Sequence, residues 1–90
     1  TGKTAAFGIP ILQAVEISKK YTHALILSPT RELCMQIASD LVDYSKYKKG
    51  LNILAVYGGS SIDTQIRGLK RGAHIVVATP GRMLDLIRRK

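Results

Sequence analysis

Three short runs along the chain are apolar at every position. Ala24-Leu25-Ile26-Leu27 ends at Ser28-Pro29, Ile53-Leu54-Ala55-Val56-Tyr57 ends at Gly58-Gly59, and Ile75-Val76-Val77-Ala78 ends at Thr79-Pro80. A strand covered on both sides needs apolar residues on both, so these runs predict buried parallel strands. Between them the spacing turns helical. Residues 30–49 place Leu33, Ile37, Leu41 and Tyr44 on one stripe, with Glu32 in the first turn, Lys46, Lys48 and Lys49 in the last, and Gly50 as the stop. Residues 61–71 align Ile62, Ile66 and Leu69 ahead of a terminating Gly72. Thr79-Pro80 reads as an N-cap and first-turn proline for a last helix carrying Met83, Leu84 and Ile87. Residues 3–19 are helical in pattern too, and Gly8 and Pro10 predict a kink or break there. Helices alternating with strands imply an α/β fold: a parallel sheet of three strands with flanking helices and right-handed crossovers.

In open sheets of this kind ligands bind at the carboxyl ends of the strands. Three polar clusters fall there: Ser28-Pro29-Thr30-Arg31-Glu32, Tyr57-Gly58-Gly59-Ser60 and Thr79-Pro80-Gly81-Arg82. The first and last open directly into a helix N-terminus and each adds an arginine, a combination that suits phosphate. Their distribution along one rim fits successive phosphates of a strand better than a single anion. The rim lacks a stacked aromatic platform, so it favours the backbone over the bases, and binding is expected to be weakly sequence-dependent and salt-sensitive. Plainer readings compete at each position. Arg31 and Arg82 have Glu32 and Asp85 nearby for surface ion pairs, Gly58-Gly59 makes an ordinary turn, and Thr30 and Thr79 serve as caps.

Composition narrows the class. The 90 residues make one small domain or a piece of a larger one, and 46% hydrophobic with 22% charged residues excludes disorder. The net charge of +8 fits a polyanionic partner or simply a well-solvated surface. The longest apolar runs fall far short of the roughly 20 residues a membrane span requires, and no membrane association is expected. Cys34, the single cysteine, has no partner for an internal disulfide and reads as a small buried residue. His23 and His74 sit at strand starts, away from the rim, and with one cysteine they form no metal set. The chain opens without Met and closes inside a helical pattern at Ile87-Arg88-Arg89-Lys90, so it is expected to be a segment of a longer, cytoplasmic protein, truncated at both ends.

The opening Gly2-Lys3-Thr4 matches the tail of a phosphate-binding loop, G-x-x-x-x-G-K-[ST]. Glycine lets the backbone close on phosphate, lysine meets the β- and γ-phosphates, and the threonine hydroxyl reaches Mg²⁺. Taken alone, so short a string is also compatible with an ordinary chain start.

Gly2-Lys3-Thr4, Pro29-Thr30-Arg31-Glu32-Leu33, Gly58-Gly59 and Thr79-Pro80-Gly81-Arg82, in this order, resemble the first RecA-like domain of a DEAD-box RNA helicase. The stretch from Tyr57 to Asp85 is most similar to bacterial cold-shock-type members. The resemblance implies a partial RecA-like (P-loop NTPase) domain over residues 1–90. It implies ATP binding by Gly2, Lys3 and Thr4, with Thr4 on Mg²⁺. It implies contact with the RNA sugar-phosphate backbone by Pro29, Thr30, Arg31, Gly58, Gly59, Thr79, Gly81 and Arg82, while Glu32 is structural. It places the 75–78 strand between the other two. RNA, single-stranded or in a short duplex and without sequence preference, is the implied partner, together with a second RecA-like domain of the same protein. The family's usual alanine after Glu-Leu is Cys34 here, a small-for-small change. The family's adenine-reading motif, D-E-A-D string and arginine fingers are not among these residues, so no catalytic residue is expected here and the segment alone is expected to be inactive. A DNA-directed helicase of the same superfamily and a non-catalytic nucleic-acid-binding module are the alternatives.

Overall fold

The computed structural model describes residues 2–19, 21–46, 48–59 and 61–88, with side chains from residue 6 onward. Four helices and three strands alternate: α1 (Gly2–Ala14), β1 (Ala24–Leu27), α2 (Arg31–Tyr44), β2 (Ile53–Val56), α3 (Ile62–Arg71), β3 (Ile75–Ala78) and α4 (Pro80–Arg88). The strands form one parallel sheet in the order β1-β3-β2, so the last strand is central, as the family resemblance implied.

β3 is buried at every position because both of its faces are covered. Successive side chains of a strand alternate between faces. Ile75 and Val77 enter a cluster with Leu12, Val15, Cys34, Ile37 and Leu41, the layer built by α2 and the end of α1. Val76 and Ala78 enter another with Val56, Ala73 and Leu86, closed by Ile62, Ile66 and Leu69 of α3 and Met83 of α4. Leu41 is fully buried; truncation of such a side chain to alanine costs about 2–5 kcal/mol. β1 departs from the expectation of two covered faces. Ala24 and Ile26 pack inward, whereas Leu25 and Leu27 are 51% and 55% exposed. The second core layer gathers on β2 and β3 and contains no β1 side chain among the described residues.

Helix limits differ from the pattern in two places. α1 runs unbroken through Pro10 and stops at Ala14, short of residue 19. Proline forgoes one backbone bond, and burial of Leu12 and Val15 against α2 holds the segment in place. α2 ends at Tyr44 because Ser45 takes over its last carbonyls. The Ser45 N–H donates to Leu41 and Val42, and its Oγ donates to the Val42 carbonyl at 3.0 Å. Lys46, Lys48 and Lys49 therefore lie beyond the helix. Half-buried Lys48 donates its Nζ to the Leu12 carbonyl, placing a cation at the C-terminal turn of α1 rather than on a solvated face. Gly50, at φ 88°, turns the following loop, while Gly72, at φ 103°, terminates α3 as expected.

The amino edge of the sheet is tied by a polar network around His74. The Asn52 N–H donates to His74 Nδ1 at 3.0 Å, so Nε2 carries the proton and donates to the Ile17 carbonyl at 2.9 Å. Asn52 Nδ2 reaches Gly72 O at 2.9 Å and Thr22 Oγ1 reaches Ala73 O at 2.9 Å. His74 is 1% exposed, and both of its ring nitrogens are satisfied by the protein.

Candidate nucleic-acid interface

The parallel register brings Leu27, Ala78 and Val56 level at the carboxyl edge. The ladder continues one residue further, with Ser28 N–H on Ala78 O at 2.8 Å and Thr79 N–H on Val56 O at 3.0 Å. Ser28, Thr79 and Tyr57 thus leave the sheet side by side, and each begins one of the three polar turns. Every turn feeds a helix start. Thr30 Oγ1 accepts the Leu33 N–H at 3.1 Å and caps α2. Ser61 Oγ accepts the Thr64 N–H at 3.4 Å and caps α3. Thr79 accepts the Met83 N–H through its backbone carbonyl at 3.0 Å, and Pro80 opens α4. First-turn N–H groups without helical partners consequently collect along this one edge.

The two arginines come from opposite faces of the sheet and converge on the Tyr57-Gly58-Gly59 turn. Arg31, on the α2 side, lies so close to Gly59 that a Cβ built there would sit 2.8 Å from its Nη1. Its Nε is 3.8 Å from Glu32 Oε2, with the two side chains 50% and 75% exposed. That is a surface pair worth about 0–1 kcal/mol, which leaves the guanidinium adjustable. Arg82, on the α4 side, donates from Nη1 to Gln65 Oε1 at 2.9 Å, and Gln65 Nε2 donates to the Tyr57 carbonyl at 3.2 Å. One arginine touches the glycine turn directly and the other reaches it through one intermediary.

Gly59 adopts φ +84°, a backbone region side chains disfavour, and the nearby Arg31 guanidinium would also collide with a Cβ. Glycine at 59 therefore has an intramolecular cause. Gly58 and Gly81 have none: a Cβ at either would meet nothing within 4 Å. Both are exposed, and their missing side chains leave the turn and the start of α4 open to an approaching molecule. Pro29, Thr30 and Arg31 are exposed; Thr79 and Arg82 are half-buried. Eight of the predicted positions thus share one edge: Pro29, Thr30, Arg31, Gly58, Gly59, Thr79, Gly81 and Arg82. Gly2, Lys3 and Thr4 form the first turn of α1, but their side chains lie outside the described residues.

Gln65 was not singled out from the sequence. Its signal was available: it is a polar residue inside the apolar stripe of Ile62, Ile66 and Leu69, and it is 4% exposed. Cys34 is fully buried beneath the edge, with Sγ 3.1 Å from the Val77 carbonyl, and burial pushes its thiol above the ordinary value. No group of three or more His, Cys, Asp or Glu suited to a metal occurs among the described residues.

An open parallel α/β sheet with three helix starts, two arginines and a glycine turn along its carboxyl edge defines a domain of the RecA-like type. The chain belongs to the DEAD/DEAH box helicase family, whose model matches residues 1–90. It is 53% identical over 90 residues to the DEAD-box ATP-dependent RNA helicase CshA of Streptococcus pneumoniae, covering 100% of this chain and 17% of that protein. Over 89 residues it is 53% identical to the ATP-dependent RNA helicase DeaD of Mycobacterium tuberculosis, covering 99% of this chain and 16% of that protein. Among solved structures, a DEAD box protein from Methanococcus jannaschii superposes with a TM-score of 0.87 at 47% identity, covering 99% of this chain and 24% of that one. A hypothetical ATP-dependent RNA helicase from Sulfolobus tokodaii does so at 0.82 and 44%, covering 98% and 24%. The chain spans about a sixth of the length of the curated relatives it matches. No helix among the described residues is long and apolar enough to cross a membrane.

Proposed function

We propose that this chain forms part of the ATP-binding lobe of an ATP-dependent RNA helicase and grips the sugar-phosphate backbone of RNA along its carboxyl edge. The observation that carries the reading is the convergence of Arg31 and Arg82, from opposite faces, on one glycine turn flanked by helix starts. Helix N–H groups, hydroxyls and guanidinium are donors suited to phosphate oxygens and indifferent to base identity. Thr30 caps α2 with an oxygen lone pair, which leaves its hydroxyl proton to donate outward. Arg31 adjusts to the strand, while Arg82 is held in place. Gly58 and Gly81 admit the backbone closely.

The first turn of α1 supplies the donor types that a triphosphate with Mg²⁺ requires: backbone N–H groups, the Lys3 ammonium and the Thr4 hydroxyl. Bound there, the nucleotide would supply the phosphoryl-transfer energy that couples to RNA remodelling. Lys3 would hold its charge and Thr4 would orient the cation. A second RecA-like domain would complete the site, and local strand separation would follow closure of the two on RNA. The location that goes with this reading is the cytoplasm, where ATP and RNA are both at hand.

The test is ATP turnover by the intact gene product with an RNA oligonucleotide and with DNA of the same sequence. RNA is expected to stimulate and DNA not. Arg31→Ala and Arg82→Ala should each raise the RNA concentration for half-maximal stimulation about tenfold or more, the scale of a lost charge-assisted hydrogen bond. Equal stimulation by DNA would favour the DNA-directed alternative, and no stimulation by either would favour a binding module without catalysis. The 90 residues alone hold only some of the parts of phosphoryl transfer and are expected to give no turnover.

A further inference from the structure

We infer that Gln65 is a positioning residue of the RNA-binding edge, locking Arg82 and the Tyr57-Gly58-Gly59 turn into one preorganised unit. The inference rests on the reading that Arg82 contacts RNA phosphate. Gln65 lies on α3, is 4% exposed, and is bonded at both ends of its amide. Oε1 accepts from Arg82 Nη1 at 2.9 Å and Nε2 donates to the Tyr57 carbonyl at 3.2 Å. The two partners dictate the orientation of the amide: a guanidinium only donates and a carbonyl only accepts, so a flipped amide would lose both bonds.

The consequence differs between the two arginines. Arg31 has an exposed, long ion pair and must be ordered when it meets its ligand. Arg82 is half-buried and its guanidinium donates to a neutral acceptor, Gln65 Oε1. Rigid placement before binding lowers the entropy lost on binding. The same amide holds the carbonyl of Tyr57, the residue that leads into Gly58 and Gly59. Gln65 therefore fixes the spacing between two of the three turns on the edge.

The test is a double-mutant cycle in the intact gene product, read as affinity for a single-stranded RNA oligonucleotide over a range of salt, with thermal unfolding followed in parallel. Gln65→Met keeps the length and removes both bonds. It is expected to weaken RNA binding about five- to tenfold and to lower the slope of log affinity against log salt toward that of Arg82→Ala, a change of about 0.7 for one phosphate contact. In the Arg82→Ala background the same change should cost distinctly less, because one of the two elements it positions is gone and only the Tyr57 bond remains to be lost. Equal losses in both backgrounds would overturn the inference and leave Gln65 a packing residue. An Arg82→Ala variant with unaltered affinity and slope would overturn the underlying reading, and this inference with it. A measurement on the unmutated protein covers poor folding of the variants. Without RNA, the Arg82 Nη resonances should be split by hindered rotation of the guanidinium, and a freely rotating group would also refute the proposal.

Discussion

The two edges of the sheet are both polar, and they treat their polar groups in opposite ways. At the amino edge, His74, Asn52 and Thr22 direct their hydrogen bonds at the backbone of Ile17, Gly72 and Ala73, so these three side chains are engaged within the fold. At the carboxyl edge the helix starts, Arg31 and the open positions at Gly58 and Gly81 face outward. Polar residues at a sheet edge are thus not enough to mark a binding site. What separates the edges is whether the protein itself uses the hydrogen-bonding capacity gathered there. A network engaged within the fold rigidifies it, whereas an open set of donors awaits an acceptor.

This contrast can be broken by substitution. The largest effect is expected from Arg31→Ala combined with Arg82→Ala. Two charge-assisted contacts, each worth about 1.5–3 kcal/mol, should disappear from RNA affinity in a direct binding titration. His74→Ala, at the other edge, should do the reverse. It strips partners from the Asn52 N–H and the Ile17 carbonyl and leaves a cavity, costing about 3–5 kcal/mol in denaturant unfolding. RNA affinity of the folded fraction should not change.

Two glycines sharpen the comparison. Gly59→Ala should cost about 1–3 kcal/mol of stability from its backbone conformation and weaken RNA binding by displacing Arg31. Gly81→Ala faces open space in the first turn of α4, so unfolding should show equal or greater stability, by up to ~1 kcal/mol. RNA affinity should nevertheless fall, because the added methyl occupies the approach. A variant that stabilises the fold while weakening binding separates the functional edge from the structural one.

The smallest effect concerns Cys34. Its thiol is held above the ordinary value by burial. As pH rises past the unfolded thiol value of about 8.5, the unfolded chain ionises while the folded one does not, so stability should fall with pH from there. Cys34→Ser should remove that component of alkaline sensitivity, measured by unfolding at several pH values.

The architecture was legible in the sequence because apolar runs and helical stripes were cleanly separated, and Ser28-Pro29, Gly58-Gly59 and Thr79-Pro80 marked the strand ends. The three-turn edge followed from strand polarity. The central place of β3 came only through the family resemblance, since strand order is not written in local pattern. The limits of α1 and α2 were misjudged for a tertiary reason. Packing carried the helix across Pro10, and the Ser45 cap ended α2 ahead of the lysines. Lys48 was assigned to the last turn of α2 and Gln65 escaped notice because each acts on a distant partner, the Leu12 carbonyl for one and Arg82 and Tyr57 for the other. Spacing along the chain reveals faces of helices, not who waits across the groove.

The most direct test of the central claim is the salt dependence of RNA affinity in the intact gene product with and without Arg31→Ala and Arg82→Ala. Each phosphate contact in a single strand contributes about 0.7 to the slope of log affinity against log salt. The account predicts a slope shallower by about 1.4 in the double variant, with weaker binding regardless of RNA sequence. A variant that bound RNA with unchanged affinity and slope would contradict it.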